Sequence, residues 1–165
     1  MDPTKAPPEI FDTALLKLRR SRAAKREPSF LLARCLDDLA DRLMDVNREF
    51  ERVLIVGDNI QPENLMALLP AGKLKTVKTV DGLDALPAET NFDLVISLLR
   101  LQSENDLPGA VIQMRQRLKA DGLFISAVFG GDTLTELRQV FYRVDEAHLG
   151  GLAPHIFPMA SYSQL

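Results

Sequence analysis

The sequence predicts an open α/β fold with a mainly parallel sheet, and three observations carry that expectation. The segments "VLIV", "FDLVISLL" and "GLFISAVF" are nearly continuous apolar runs rich in β-branched residues, as strands covered on both faces require. Capped helical patterns lie between them. "VLIV", residues 53–56, runs straight into Gly57, the strand-to-turn entry beside which such sheets open their clefts. A chain of 165 residues fits one domain with a real core.

Taken in order, "MDPTKAPPE" carries three prolines and is expected to be an extended or disordered tail. "IFDTALLKLRRSRAAKR" reads as a helix with Phe11, Leu15, Leu16 and Leu18 on its apolar side. It ends in a basic cluster of Lys17, Arg19, Arg20, Arg22, Lys25 and Arg26. Such a cluster is either a solvated face favoured by the helix dipole or a docking patch for an acidic partner. Pro28 stops this helix and Ser29 can cap the next, so the tail and basic helix (1–28) are set apart from an α/β domain (29–165). Leu32, Leu36, Leu39, Leu43 and Val46 recur at steps of four and three, one helical face over residues 30–49. A coiled-coil seam would continue that pattern; it stops, so the face is read as packing on the domain that follows.

Pro62 suits the first turn of a helix over 62–69. "KLKTVKTV" alternates polar and apolar residues, as an edge strand does. A helix over 107–119 has Asp106 as its cap, Pro108 just inside and Gly122 as its expected stop. After "AVFGGDT" a last helix over 133–147 carries Leu134, Leu137, Val140, Phe141 and Val144 on one side. The right-handed crossover rule then predicts about four strands, with "KLKTVKTV" beside "VLIV" and "FDLVISLL" between "VLIV" and "GLFISAVF". That order leaves residues 123–129 as an apolar edge, which the segment after Gly150 covers or a second copy of the chain pairs with as a homodimer.

Ligands of open α/β sheets sit at the carboxyl ends of the strands, which singles out residues 57–61, 81–84, 97–103 and 130–133. Asp81 lies 24 positions after Gly57, near the offset of the acid that binds ribose hydroxyls; Asp in "VDGLD" is equally a good turn residue. Only ten residues separate Asp81 from Phe92, with Pro87 among them. A parallel crossover usually needs a dozen or more residues and a helix, so one strand–helix unit is missing here. His148 and His155 are the sole histidines and Cys35 the sole cysteine. No metal-ligand spacing results, and no disulfide within the chain. Ser97 and Ser126 lack a nucleophile-elbow context. His155 with Asp132 is the one candidate acid–base pair, against the plainer reading of His155 as a hydrogen-bonded loop residue.

The net charge of −3 argues against a general nucleic-acid surface, and no run is apolar enough to span a membrane. Asp2, Glu9 and Asp12 make a poor transit peptide. A bacterial cytoplasm is the expected location.

Several long stretches resemble one known group: "IFDTALLKLRRSRAA", "FLLARCLDDLADRLMDVNREF", "FDLVISLLRLQSENDLPGAVIQMRQRLKADGLFISAVFGGDTLTELR" and "GGLAPHIFP". They look like the alphaproteobacterial and mitochondrial methyltransferase-like family that includes the mitochondrial complex I assembly factor 5. More distantly they are similar to BioC-type malonyl-carrier-protein methyltransferases. The resemblance implies a class I, Rossmann-like S-adenosylmethionine-dependent methyltransferase fold, here truncated before the family's two closing strands. It also implies a role in assembly of respiratory NADH dehydrogenase through a protein partner, and arginine hydroxylation as in mitochondrial members. By the same resemblance the cofactor-binding residues are Gly57, Asp58, Asn59, Asp81 and Leu98, with no catalytic residue assigned.

The chain departs from the family's pattern at telling places. Asn59 and Gln61 stand where the cofactor loop has its second and third glycines, and Ile55 replaces the strand acid. Gln102 and Ser103 replace the usual His-Trp. Side chains at 59 and 61 intrude where a cofactor lies against bare backbone, and they resist positive φ, Asn less than most. The expectation is a methyltransferase-like protein with weakened or lost cofactor binding. The alternative is an active BioC-like methyltransferase.

Overall fold

A computed structural model describes residues 9–23 and 30–161. The expectations for residues 1–8, Lys25, Arg26, Pro28 and Ser29 lie outside the described residues. The chain divides into two compact units, the first ending at Ala127 and the second starting at Val128. The first contains helices α1 (Thr13–Ala23) and α2 (Phe30–Asp45), strand β1 (Phe50–Val56), helix α3 (Pro62–Ala67), strands β2 (Leu74–Val80) and β3 (Phe92–Leu98), helix α4 (Leu107–Arg115) and strand β4 (Leu118–Ala127). The strands pair in parallel in the order β2-β1-β3-β4, the order the crossover rule predicts.

Burial explains the order. All seven residues of β3 are buried, as are the last four of β1, so these two strands take the centre. Val53, Ile55, Leu94, Ile96 and Leu98 face Leu36, Leu39 and Leu43 of α2 and Leu65 of α3 in one core. Each such side chain contributes roughly 2 kcal/mol when fully withdrawn from water. Leu32 and Val46 complete the α2 stripe as partly buried neighbours. By the pleat, Leu54, Val56, Val95 and Ser97 point to the opposite face, and α4 buries Ala110 and Met114. Edge strand β2 alternates polar and apolar residues and ties Lys75 to Glu49 and Glu51, and Lys78 to Glu89. The connection from β2 to β3 crosses β1 with only a 3-10 turn at Leu83–Ala85, so no helix occupies it.

Two local expectations are corrected. Helix α4 stops at Arg115 and Gly122 lies inside β4. The left-handed residue after the helix is Asp121 (φ 62°), whose carbonyl accepts from Arg48 Nη1 at 2.9 Å. There β4 bulges, since Phe92 pairs with Leu118 but Leu94 with Leu123. A Cβ on Gly122 would lie 2.8 Å from Leu118 Cδ2 and 3.0 Å from the Lys119 carbonyl oxygen, so glycine serves close approach rather than a helix stop. Of the apolar side expected for the N-terminal helix, only Phe11 is buried, and it lies just before α1; Leu15 and Leu18 are exposed.

Asp93 carries no sequence signal, yet it is a cross-strand fastener. Its buried carboxylate accepts from the backbone N–H groups of Glu51 (2.9 Å) and Arg52 (3.1 Å) and pairs with Lys119 Nζ at 3.3 Å. Three strands are thereby joined at their amino ends.

In the second unit, α5 (Thr135–Leu149) ends at Gly150, whose left-handed φ of 66° suits glycine. The buried Asp145 carboxylate accepts from the Ala153 N–H and pairs with His155 Nε2, each at 2.9 Å, and the His155 ring stacks on Phe141 at 4.5 Å. This fold-back engages the Phe141 and Asp145 side of the helix, while Leu137, Val140 and Val144 of the expected apolar side stay exposed. Residues 162–165 of the segment after Gly150 lie outside the described residues.

Replacing Asp93 with Ala should destabilise the protein by about 3 kcal/mol, since hydrogen bonds to a charged group are worth about 1.5–3 kcal/mol each. Asp93→Asn keeps one acceptor and should lose less; urea denaturation reads both. The Ala153 N–H and His155 hold the Asp145 carboxyl below its ordinary range. The contribution of a depressed carboxylate is present above its unfolded-state value and is lost as pH falls through the folded one. Protection of the Ala153 amide in hydrogen exchange should therefore persist through mild acid and vanish only below the usual carboxylate range.

Candidate functional site

The strand order brings the carboxyl ends of β1, β2 and β3 to one end of the sheet. Gly57 continues the β1 ladder by donating its N–H to the Val80 carbonyl at 3.0 Å. A Cβ here would sit 2.4 Å from Ile60 Cδ1 and 2.9 Å from the Leu98 carbonyl oxygen, so the turn closes only over glycine. Asn59 then takes the left-handed conformation, φ 57°, a region asparagine tolerates better than most residues. Gln61 is extended (φ −92°), caps α3 from its backbone alone, and leads into Pro62. Of the two positions where the resemblance expects glycine, only Asn59 uses a dihedral that favours one.

Beside this turn lies a cavity of about 570 Å³ lined by Asp58, Asn59, Gln61, Thr79, Asp81 and Arg100, with Lys17 and Arg20 from α1. Its size suits a small-molecule ligand. Of the residues singled out from sequence, Asp58, Asn59 and Asp81 line it together. Gly57 and Leu98 are buried behind the turn and do not line it. A second cavity of about 470 Å³ adjoins Thr13, Leu16, Leu83, Ser103 and Glu104, and shares Lys17, Arg20, Asp84 and Arg100 with the first.

Three cations organise the charge. Arg20 Nε lies 3.0 Å from Asp58 Oδ2, and Arg20 Nη2 donates to Ser103 Oγ at 2.6 Å. Arg100 leaves β3 just after Leu99, which is itself left-handed at φ 50° with its N–H on the Ala127 carbonyl at 2.8 Å. The buried Arg100 guanidinium reaches Glu104 Oε1 at 2.8 Å and Asp58 Oδ1 at 3.5 Å. Lys17 Nζ meets Asp84 Oδ2 at 2.7 Å and draws that carboxyl below its ordinary range. Burial, followed by the repulsion of Arg100, lowers the Arg20 guanidinium from its usual value against the pull of Asp58. The carboxylates of Asp58, Asp81 and Asp84 supply acceptors for ligand hydroxyls or a cationic group.

The sequence reached Arg100 only as one of residues 97–103, and it missed Glu104 and the turn of Arg20 toward the cleft. One signal was available: Arg20 lies four residues after Leu16, on one helical face, and an arginine in "SLLRL" interrupts an otherwise apolar strand exit. Arg19 and Arg22 are exposed, in keeping with a solvated face. His155 pairs with Asp145 rather than Asp132. Burial, then Asp38, raises the Cys35 thiol above its ordinary value, which makes it a poor nucleophile. Ser97 is fully buried within β3. Among the described residues no group of three or more His, Cys, Asp or Glu is placed to hold a metal, and no helix is long and apolar enough to cross a membrane.

The four-stranded parallel sheet, with its cleft at the carboxyl ends of the strands, makes this an open, Rossmann-like α/β protein. No family model matches the chain. Its sequence is similar to the mitochondrial arginine-hydroxylase NDUFAF5 of Homo sapiens (34% identical over 180 positions, 94% of this chain and 52% of that protein) and of Danio rerio (37%, 94% and 56%). A malonyl-[acyl-carrier protein] O-methyltransferase of Gallionella capsiferriformans is 44% identical over 84 residues, half of this chain and 29% of that protein. The chain thus spans about half the length of the NDUFAF5 relatives. The alignment to the human protein runs to 180 positions while using 94% of 165 residues, so that relative carries residues with no counterpart here. Among solved structures, the plantazolicin methyltransferase BpumL in complex with SAH is loosely similar (11% identity, TM-score 0.48, 88% of this chain and 80% of that one).

Gly57→Ala tests the turn. With a backbone oxygen 2.9 Å from the new Cβ, overpacking should cost about 1–3 kcal/mol, read as a lower thermal midpoint.

Proposed function

We propose that this chain is a methyltransferase-like protein with a degenerate cofactor loop, acting in assembly of respiratory complex I through a protein partner. The observation that carries the reading is its likeness to arginine-hydroxylase NDUFAF5 over 94% of the chain, combined with a cleft at the carboxyl ends of β1 and β2. In this reading residues 1–28 are a tail and basic helix, residues 29–165 the α/β domain, and the protein works in a bacterial cytoplasm. Asp81 accepts from the ribose hydroxyls or from the adenine end of the ligand, Asp58 and Asn59 face its amino-acid end, and Gly57 and Leu98 set the floor beneath them. S-adenosylmethionine, when held there, supplies an electrophilic methyl group. The side chains of Asn59 and Gln61 narrow the turn and weaken its hold.

The alternative, an active BioC-like methyltransferase, is supported by the likeness to malonyl-[acyl-carrier protein] O-methyltransferases. Arginine hydroxylation is the activity that the NDUFAF5 name would bring. Strand β4 ends the sheet, and its outer edge suits pairing with a second copy of the chain.

Calorimetric titration with S-adenosylmethionine separates the first two readings. The degenerate-loop reading expects binding too weak to saturate; saturation at micromolar ligand would favour the enzyme. The double variant Asn59→Gly/Gln61→Gly should tighten binding. Asn59 is already left-handed without ligand, so glycine there stabilises the fold by on the order of 1 kcal/mol, and the gain in binding comes from the space that loss of the two side chains opens. No gain would place the loss at the shortened connection between β2 and β3.

A further inference from the structure

Helix α1 covers the cleft without being built into the core. None of its 11 residues is buried; Leu16 and Arg20, one turn apart on the same face, are its half-buried residues. Among the described residues its polar attachments lie at two places. Just before the helix, Phe11 is buried, and Asn105 accepts from the N–H groups of Ile10 (2.7 Å) and Phe11 (2.8 Å) while donating to the Phe11 carbonyl at 3.1 Å. Farther along, Arg20 grips Asp58 and Ser103, and Lys17 meets Asp84.

The two ionic contacts differ in weight. Both partners of Lys17–Asp84 are about two-thirds exposed, and an ion pair of that kind contributes little. The side chains of Arg20 and Asp58 are 21% and 34% exposed, so Arg20 is the stronger hold. Its release does not strand a charge, because Asp58 keeps Arg100 at 3.5 Å. Lys17, Arg20, Asp84 and Arg100 border both cavities, and of these Lys17 and Arg20 belong to α1 and would leave with it. A helix with no buried side chain belongs to the low end of local stability.

We infer that α1 is a lid latched by Arg20. It pivots at the Phe11–Asn105 anchor, and withdrawal of Arg20 from Asp58 joins the two cavities into one cleft. That cleft takes an elongated ligand, with hydroxyl-bearing groups toward Asp81 and the remainder toward Thr13, Leu83 and Glu104. The ligand half of this inference rests on the cleft being an S-adenosyl site; the lid half does not.

Hydrogen exchange read by mass spectrometry on the full chain tests the lid. Arg20→Ala should speed exchange of the α1 amides at least tenfold and leave those of β1 and β3 unchanged. About 0.5 M salt should do part of the same to the native protein by screening the pair, and Arg20→Lys should restore part of the protection. Unchanged α1 exchange in Arg20→Ala would overturn the lid. An equal rise in the strands would also overturn it, showing Arg20 to be a structural prop. Stopped-flow binding of S-adenosylhomocysteine tests the gate: Arg20→Ala should associate several-fold faster, and an equal or slower rate overturns gating. Binding to neither protein would remove the S-adenosyl reading and leave the exchange result to decide the lid.

Discussion

The need to bury β1 and β3 on both faces governs the rest of the molecule. An apolar strand with no exposed side cannot sit at an edge or face water, so helices must cover it from each side. Parallel pairing then puts every strand exit at one end. That single consequence gathers Gly57, Asp81 and Arg100, which are far apart in sequence, around one cleft. Asp93 guards the other end, where its carboxylate satisfies two backbone donors of β1 and locks the amino ends in register.

The cleft is an ionic junction as much as a cavity. Asp58 stands between two guanidinium groups, and Arg100, the more buried of them, is held mainly by Glu104. Charges withdrawn from water are costly unless each is paired, and here each arginine has a carboxylate. The arrangement explains how a turn lacking two expected glycines keeps its shape. Asp58 is pinned from both sides, Gly57 supplies the one position where a Cβ cannot fit, and Asn59 absorbs the left-handed dihedral.

Much of this was legible in the residues. Apolar runs identified the central strands, alternation identified the edge strand β2, and the ten residues between Asp81 and Phe92 foretold a crossing without a helix. The α2 stripe was equally plain, because its leucines repeat at helical spacing. What periodicity could not convey was which polar groups turn inward. Lys17 and Arg20 look like neighbours of the exposed Arg19 and Arg22, and only the packed sheet shows that two of the four face the cleft. Asp93 sits in an apolar run, and nothing in its context announces two backbone donors waiting on another strand. The mistaken helix stop at Gly122 has a similar cause: the bulge needs glycine for closeness, while Asp121 carries the left-handed turn.

The helix-free crossing has a mechanical side as well. Residues 81–91 must travel back along the sheet, roughly 23 Å for a seven-residue strand, and shift sideways by two strand spacings, about 10 Å in all. A chain of that length reaches only about 40 Å when fully drawn out, and the 3-10 turn at Leu83–Ala85 consumes part of the reach. The straight-line distance is about 25 Å, so the strap crosses with roughly 10 Å to spare. Shortening it beyond that margin would pull β2 or β3 out of register, whereas lengthening it costs only a modest loop entropy. The same short strap carries Asp81 and Asp84 to the cleft, so its length also sets where the acidic rim lies.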